Sequence, residues 1–196
     1  MGEYWSYHLE SLTWYAANTG GHMSLFDAPL HLNFHQASRS GGHYDMRRLL
    51  DGTLMQQMPL LVVTLVDNHD TQPLQMLESV VEAWFKPLAY AVILLARGHC
   101  AYGPQYDSFD HFNTIGWTRL GSAGHPRAMA VLMSDGDAGR KWMEVGKRHT
   151  VFRDLTGHIR EPITSNADGW AEWRCPGGSV SVWVEEEAIG EMGVVL

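Results

Sequence analysis

Two hydrophobic rhythms divide this chain. Up to about residue 97, short β-type runs alternate with stretches of helical period; from about Tyr102 onward the helical period gives way to short strands broken by turns. In the first part, residues 60–66 (Leu-Leu-Val-Val-Thr-Leu-Val) follow Pro59 as an unbroken apolar and β-branched run. Such a run predicts a strand buried on both faces, as in a parallel sheet. A shorter strand is expected over 23–26, ending at Asp27. A helix over 11–17 places Leu9, Leu12 and Tyr15 or Ala16 on one face and stops at Asn18-Thr19-Gly20-Gly21. Residues 37–42 read as a loop, 46–50 as a short helix, and Asp51-Gly52 as a turn. Leu77, Val80, Val81 and Trp84 fall at i, i+3, i+4 and i+7 and predict an amphipathic helix. Pro87 is suited to the first position of the next helix, whose residues 88–95 are apolar all round and therefore buried.

In the second part, strands are expected at 114–118, 128–133, 141–145, 151–154, 171–174 and 179–184. Turns separate them at 134–139, Asp168-Gly169 and Pro176-Gly177-Gly178. This is the pattern of an antiparallel sandwich. Residues 188–196 read as a tail without clear structure. No internal repeat or low-complexity segment interrupts the chain.

Composition narrows the functional classes. The 196 residues allow one domain or two small ones, and 45% hydrophobic residues suffice for a sizeable core. A net charge of −8 with no basic cluster argues against nucleic acid. The longest apolar run, 88–96, is too short to cross a bilayer, and the first residues carry no apolar signal segment. Cys100 and Cys175 show no spacing of a disulfide framework or metal site. The eleven histidines form no His-Glu-x-x-His pattern. Eight tryptophans and seven tyrosines can stack on sugar rings, but most are expected in the core. The candidate chemistry sits just past the 60–66 run, where Asp67-Asn68-His69-Asp70 occupies the C-terminal end of a predicted parallel strand. In α/β barrels catalytic groups stand there. These groups could bind or hydrolyse a sugar, or cap the loop and the following helix.

The same residues carry a resemblance. Val66-Asp67-Asn68-His69-Asp70 resembles the seventh-strand motif of the α-amylases of glycoside hydrolase family 13, in their liquefying bacterial type. Gly2-Glu3-Tyr4-Trp5 resembles the fifth-strand motif, and Ser24-Leu25-Phe26-Asp27-Ala28-Pro29-Leu30-His31 the sixth. Residues 84–91 resemble the helix after strand seven, and 177–183 the last strand of the C-terminal sandwich. The similarity runs from Gly2 to about Val184. It implies a partial (β/α)8 barrel segment over 1–97 (strands five to seven), an antiparallel Greek-key β-sandwich over 98–184 and a tail over 185–196. Strands one to four have no counterpart. Ala96-Arg97-Gly98-His99-Cys100-Ala101-Tyr102-Gly103 resembles a segment that follows strand eight, so the chain is similar to the rear part of such an enzyme with an internal deletion.

The function that the resemblance implies is retaining hydrolysis of α-1,4-glucan, starch or malto-oligosaccharide. Glu3 matches the general acid/base, Asp70 the third carboxylate, and His69 and Trp5 sugar contacts. The nucleophilic Asp of the fourth-strand motif has no match. Asp27 and His31 are expected to make local hydrogen bonds. The resemblance also implies Ca²⁺ between barrel and sandwich, on Gly42, Tyr44, Phe112, Asn113 and Asp135, a mixed oxygen set of the kind calcium takes. Asn113 stands where Asp is usual, and Asp135-Gly136 also reads as a hairpin turn. Family members are often secreted. Besides an active hydrolase, a non-catalytic module that binds starch or a partner, or an inactive truncated product, is consistent with these residues. Unpaired barrel strands predict self-association through open edges.

Overall fold

In the computed structural model, residues 1–97 and 102–192 are described. The boundary expected at 97/98 and Cys100 lie outside the described residues. The first part is built of α1 (Leu9–Asn18), β1 (Leu25–Phe26), α2 (Ala28–Arg39), a 3₁₀ turn (Met46–Arg48), α3 (Leu54–Gln57), β2 (Val62–Val63), a second 3₁₀ turn (His69–Thr71) and α4 (Lys86–Leu95). The second part holds β3 (Gln105–Ser108), β4 (Thr114–Arg119), β5 (Met129–Ser134), β6 (Gly139–Glu144), β7 (Val151–Asp154), β8 (Ile163–Thr164), β9 (Trp170–Cys175), β10 (Ser179–Glu185) and α5 (Glu186–Met192).

The barrel-like part is a narrow parallel ribbon. β1 pairs with β2 in parallel, Leu25 opposite Val62 and Phe26 opposite Val63, and an isolated bridge adds Gly2 beside Leu25. No closed barrel forms among the described residues. The run 60–66 therefore behaves differently from its pattern: only Val62–Val63 pair, both are half-buried, and Leu60 is 68% exposed. A strand paired along one edge has fewer layers to cover it. A small core of Leu12, Ala16, Leu25 and Leu54 packs α1 and α3 on this ribbon.

The second part is a layered antiparallel structure. Six strands run in the order β3-β4-β5-β10-β7-β8, and β6 pairs only with β9. The central strands β4, β5 and β10 are buried on both faces, and their successive side chains point to opposite sides. On β5, Val131 and Met133 face the helices, where Phe34, Phe85, Leu88 and Val92 meet Ile115, Trp117 and Val180. Ala130 and Leu132 face the other way, onto Met143, Trp173 and Trp183 beneath the β6–β9 pair. The indole N–H groups of the three fully buried tryptophans reach carbonyls: Trp117 donates to Leu95 (3.1 Å), Trp173 to Met143 (3.1 Å) and Trp183 to Arg174 (3.0 Å).

Several sequence expectations are corrected here. Residues 77–84 are not a helix. Glu78 has φ of +44°, and backbone donors of the segment serve tertiary contacts: Ser79 N–H to Thr71 C=O, Val81 N–H to the Asp67 carboxylate, Glu82 N–H to the Ser38 hydroxyl. Helix α2 covers residues 28–36, unassigned in the sequence, and 37–39, expected as loop; its N-cap Asp27 and early Pro29 were the available signal. Residues 185–196 are not all tail, since α5 covers Glu186–Met192. Asp135-Gly136 is not a hairpin turn. β5 and β6 belong to different sheets, so this segment is a corner between layers.

Candidate functional site

The ribbon brings three chain segments to one end. Its strands are parallel, so Glu3 after Gly2, Asp27 after Phe26 and the 67–70 segment after β2 all leave from their C-terminal ends. Glu3 is exposed, and Gly2 N–H holds its segment by donating to Ser24 C=O at 2.9 Å. Trp5 lies flat on Phe26, ring centroids 4.8 Å apart and planes within 9°. His69 and Asp70 project from a 3₁₀ turn that Asn68 fixes, its Oδ1 accepting the N–H groups of Asp70 (3.0 Å) and Thr71 (3.2 Å). His69 is the more exposed (82% against 22% of the side chain), with its Nε2 3.5 Å from Asp70 Oδ2. The structure thus brings His69 and Asp70 together, while Glu3 and Trp5 stand on the neighbouring segment that Gly2 ties to β1. Among the described residues no hydrogen bond or ion pair joins Glu3 or Trp5 to His69 or Asp70.

The other two carboxylates at this end are committed to the fold. Asp27 is fully buried and accepts from Leu30 N–H (3.2 Å), Leu54 N–H (3.0 Å) and Met55 N–H (2.7 Å), so it caps α2 and binds the start of α3. Burial pushes its carboxyl above the ordinary range, and these three N–H groups pull the other way. Asp67 accepts from Val81 N–H (3.1 Å) and Thr71 hydroxyl (3.3 Å) and is paired with Lys86 at 2.7 Å. His31 is fully buried. A carbonyl only accepts, so Nδ1–H donates to Val66 C=O (2.7 Å) and Nε2 accepts from the Ser79 hydroxyl (2.7 Å). Burial first of all lowers its pKa, which keeps this ring neutral. Asp27 and His31 were expected to bond locally; their contacts in fact reach 28 and 48 residues along the chain.

The residues that the resemblance assigns to calcium converge at a second place, where the loop after α2 meets the corner between the sheets. A Cβ on Gly42 would stand 3.0 Å from Asp135 C=O. Asn113 Nδ2 donates to Gly42 C=O (2.8 Å) and to Asp135 Oδ1 (3.3 Å), and Asp135 N–H donates to Asn113 C=O (3.2 Å). Phe112 C=O accepts from Met46 N–H at 2.8 Å, and Tyr44 N–H from the same loop accompanies the group, donating to Ser40. Asp135 is 5% exposed, its Oδ2 has no hydrogen-bond partner, and burial raises its pKa to about 6. In kind, these oxygens and the orphaned carboxylate atom fit a hard cation. As arranged, N–H groups point at three of them: Asn113 Nδ2 at Gly42 C=O and Asp135 Oδ1, and Met46 N–H at Phe112 C=O. No group of three or more His, Cys, Asp or Glu gathers as for a metal among the described residues.

One feature of the outer surface escaped the sequence reading, which assigned most tryptophans to the core. In the β6–β9 pair, Trp142 stands opposite Glu172, and Trp170 opposite Glu144. Both indoles face outward, 61% and 41% exposed. Arg140 and Arg174 flank them on the same face. Trp142 also walls a cleft of about 580 Å³ shared with Ser108, Asp110, His111 and Lys141. The signal was the period-2 exposure of Arg140, Trp142 and Glu144 around buried Met143.

Against known proteins, no family model matches. An alpha-amylase of Geobacillus stearothermophilus is 48% identical over 220 residues, covering 94% of this chain and 40% of its own length. A glucan 1,4-alpha-maltohexaosidase of Bacillus sp. (strain 707) is 43% identical, covering 95% of this chain and 43% of its own length. The chain therefore spans less than half of these relatives. The 220 aligned positions exceed its 196 residues, so the first relative carries segments here that this chain does not. Among solved structures, a cyclomaltodextrin glucanotransferase with a three-domain ABC distribution superposes with a TM-score of 0.68 at 19% identity, over 94% of this chain and 49% of its own. The alpha-amylase of Geobacillus thermoleovorans gives 0.64 at 12% identity, over 93% and 52%. These likenesses at low identity establish shared fold.

Proposed function

On the premise that this chain is a relative of the α-amylases over the part of them that it spans, we propose that it acts on α-1,4-glucan, starch or malto-oligosaccharide, at the C-terminal end of the parallel ribbon. The observation that carries this is the common exit of the Glu3, Asp27 and Asp70 segments from parallel strands. Glu3 is read as the general acid, Asp70 as the second carboxylate, His69 and Trp5 as sugar contacts. The architecture behind this reading is a (β/α) barrel segment over 1–97 and a Greek-key sandwich over 98–184. No residue of the 196 is assigned as nucleophile, so Glu3 and Asp70 are read as acting without a covalent intermediate. Two carboxylates separated widely enough to admit water would act as acid and base, with inversion. Its rate is expected to lie far below that of a complete amylase, since positioning and electrostatic complementarity supply most of the acceleration. Starch hydrolysis by the purified chain is expected to fall at least roughly tenfold in Glu3→Gln, with β-anomer as first product by proton NMR. An α-anomer, or activity unchanged in both Glu3→Gln and Asp70→Asn, would overturn the assignment.

A second reading is binding without turnover, favoured by the outward Trp142 and Trp170. Two exposed indoles on one face suit the apolar faces of glucose units, and Arg140, Glu144, Glu172 and Arg174 suit their hydroxyls. Retention on amylose resin that disappears in the Trp142→Ala/Trp170→Ala double variant, with thermal stability kept, supports it; retention unchanged in that variant removes it.

At the Gly42, Tyr44, Phe112, Asn113 and Asp135 junction the resemblance implies calcium; with only one carboxylate supplied, any affinity there is expected to be weak. Self-association belongs to the same proposal. The ribbon leaves an open edge on β2, close in sequence to exposed Leu60. Sedimentation equilibrium is expected to show species larger than 22.0 kDa; a monomer at high concentration would mean the edge is covered.

A further inference from the structure

We infer that the Asn113 amide closes the junction between the ribbon-bearing part and the sheets in the place of a cation, so that this contact holds without metal. The inference rests on reading the junction as the position where the resemblance puts calcium, and it concerns what this chain does there instead.

Gly42 C=O and Asp135 Oδ1 can only accept. Brought together in a buried corner, two such oxygens repel unless something positive stands between them. The Asn113 side chain supplies it: one NH₂ group donates to Gly42 C=O at 2.8 Å and to Asp135 Oδ1 at 3.3 Å. The backbone is fitted closely around it. A Cβ on Gly136 would lie 2.7 Å from Asn113 Nδ2, and one on Gly42 would lie 3.4 Å from Gly136 Cα. Asp135 N–H to Asn113 C=O and Met46 N–H to Phe112 C=O complete the seam. Three chain segments are thus joined through one amide. An aspartate at 113 has no hydrogen to donate. It would put a second carboxylate beside Asp135, and that pair would need a bound cation, or a proton taken up between them, to stay together.

The exchange Asn113→Asp separates the two ways of closing. The melting temperatures of the full chain and this variant are measured in EDTA and in millimolar CaCl₂, with calcium titrated calorimetrically into each. The native chain is expected to melt at nearly the same temperature in both buffers. Asn113→Asp is expected to melt several degrees lower in EDTA, to recover in CaCl₂, and to bind calcium at least roughly tenfold more tightly, as an added ligand charge predicts. Asp135→Asn keeps an acceptor for the Asn113 amide and is expected to melt near the native chain in EDTA. If Asn113→Asp does not fold in EDTA, that agrees with the inference provided Asp135→Asn folds. A native chain whose melting temperature rises with calcium as much as the variant's would overturn the inference while supporting the calcium reading. Equal stability of Asn113→Asp and the native chain in EDTA would overturn the inference whatever calcium does. Absence of calcium binding in both proteins would remove the calcium reading and leave the EDTA comparison to decide the amide.

Discussion

Asp27→Ala is expected to lower stability by about 3 kcal/mol, roughly 10 °C in melting temperature, the largest single effect in the ribbon-bearing part. The carboxylate is fully buried and serves N–H groups of Leu30, Leu54 and Met55. A lost N-cap alone costs about 1 kcal/mol. Here two further buried N–H groups lose their acceptor, each at about 1 kcal/mol or more. Urea unfolding of the native chain and the variant measures the loss. A change under about 1 kcal/mol would mean that water or a backbone shift satisfies all three groups. Because Asp27 follows directly on Phe26, against which Trp5 stacks, the variant is also expected to weaken any glucan contact at that end.

Asp154→Asn is expected to cost a similar amount, about 3 kcal/mol, although it changes almost no volume. Asp154 is 2% exposed. Its Oδ1 accepts from Thr156 N–H (3.0 Å), Thr156 hydroxyl (2.6 Å) and Val182 N–H (3.1 Å), and its Oδ2 from Ile159 N–H (3.1 Å) and Ser181 hydroxyl (2.9 Å). Either orientation of an amide turns an NH₂ toward groups that need an acceptor. The carboxylate ties β7 to β10, so the loss falls on the pairing of those strands. Thermal unfolding followed by near-ultraviolet circular dichroism, which reports the packed tryptophans, measures it. A native-like midpoint would show that the hydroxyl donors rotate to accept and that the network is adaptable.

The sheet region was legible because its signals are local. Residues 114–118 and 151–154 are strands where expected, and Gly and Asp turns punctuate them. β3 and β8 were missed: Gln105–Ser108 is polar and Ile163–Thr164 has two residues, so neither carries a periodic pattern. The 77–84 segment failed for a different reason. Its apolar spacing is helical, but its N–H groups find partners in Thr71, Asp67 and Ser38, which sequence spacing does not reveal. The 60–66 run reads as doubly buried because its composition matches a parallel strand. How many strands flank it is a property of the whole sheet. At the candidate site, the motifs named Glu3, His69 and Asp70, and the resemblance named the junction residues. That Asn113 Nδ2 lies within hydrogen-bond distance of Gly42 C=O and Asp135 Oδ1 could not be read from its identity.

The position of β10 has a consequence for how the protein is made. This strand follows every other strand in sequence yet lies inside the six-stranded sheet, between β5 and β7. A ribosome delivers residues in order, so β5 and β7 emerge with their inner edges bare and wait for residues 179–185. Until then Val131, Met133 and Phe152 lack the neighbour that shields them. The nascent chain is therefore most vulnerable to sticking and to chaperone capture in the interval before residues 179–185 clear the exit tunnel. A ribosome stalled ahead of codon 179 would hold a chain unable to complete its main sheet.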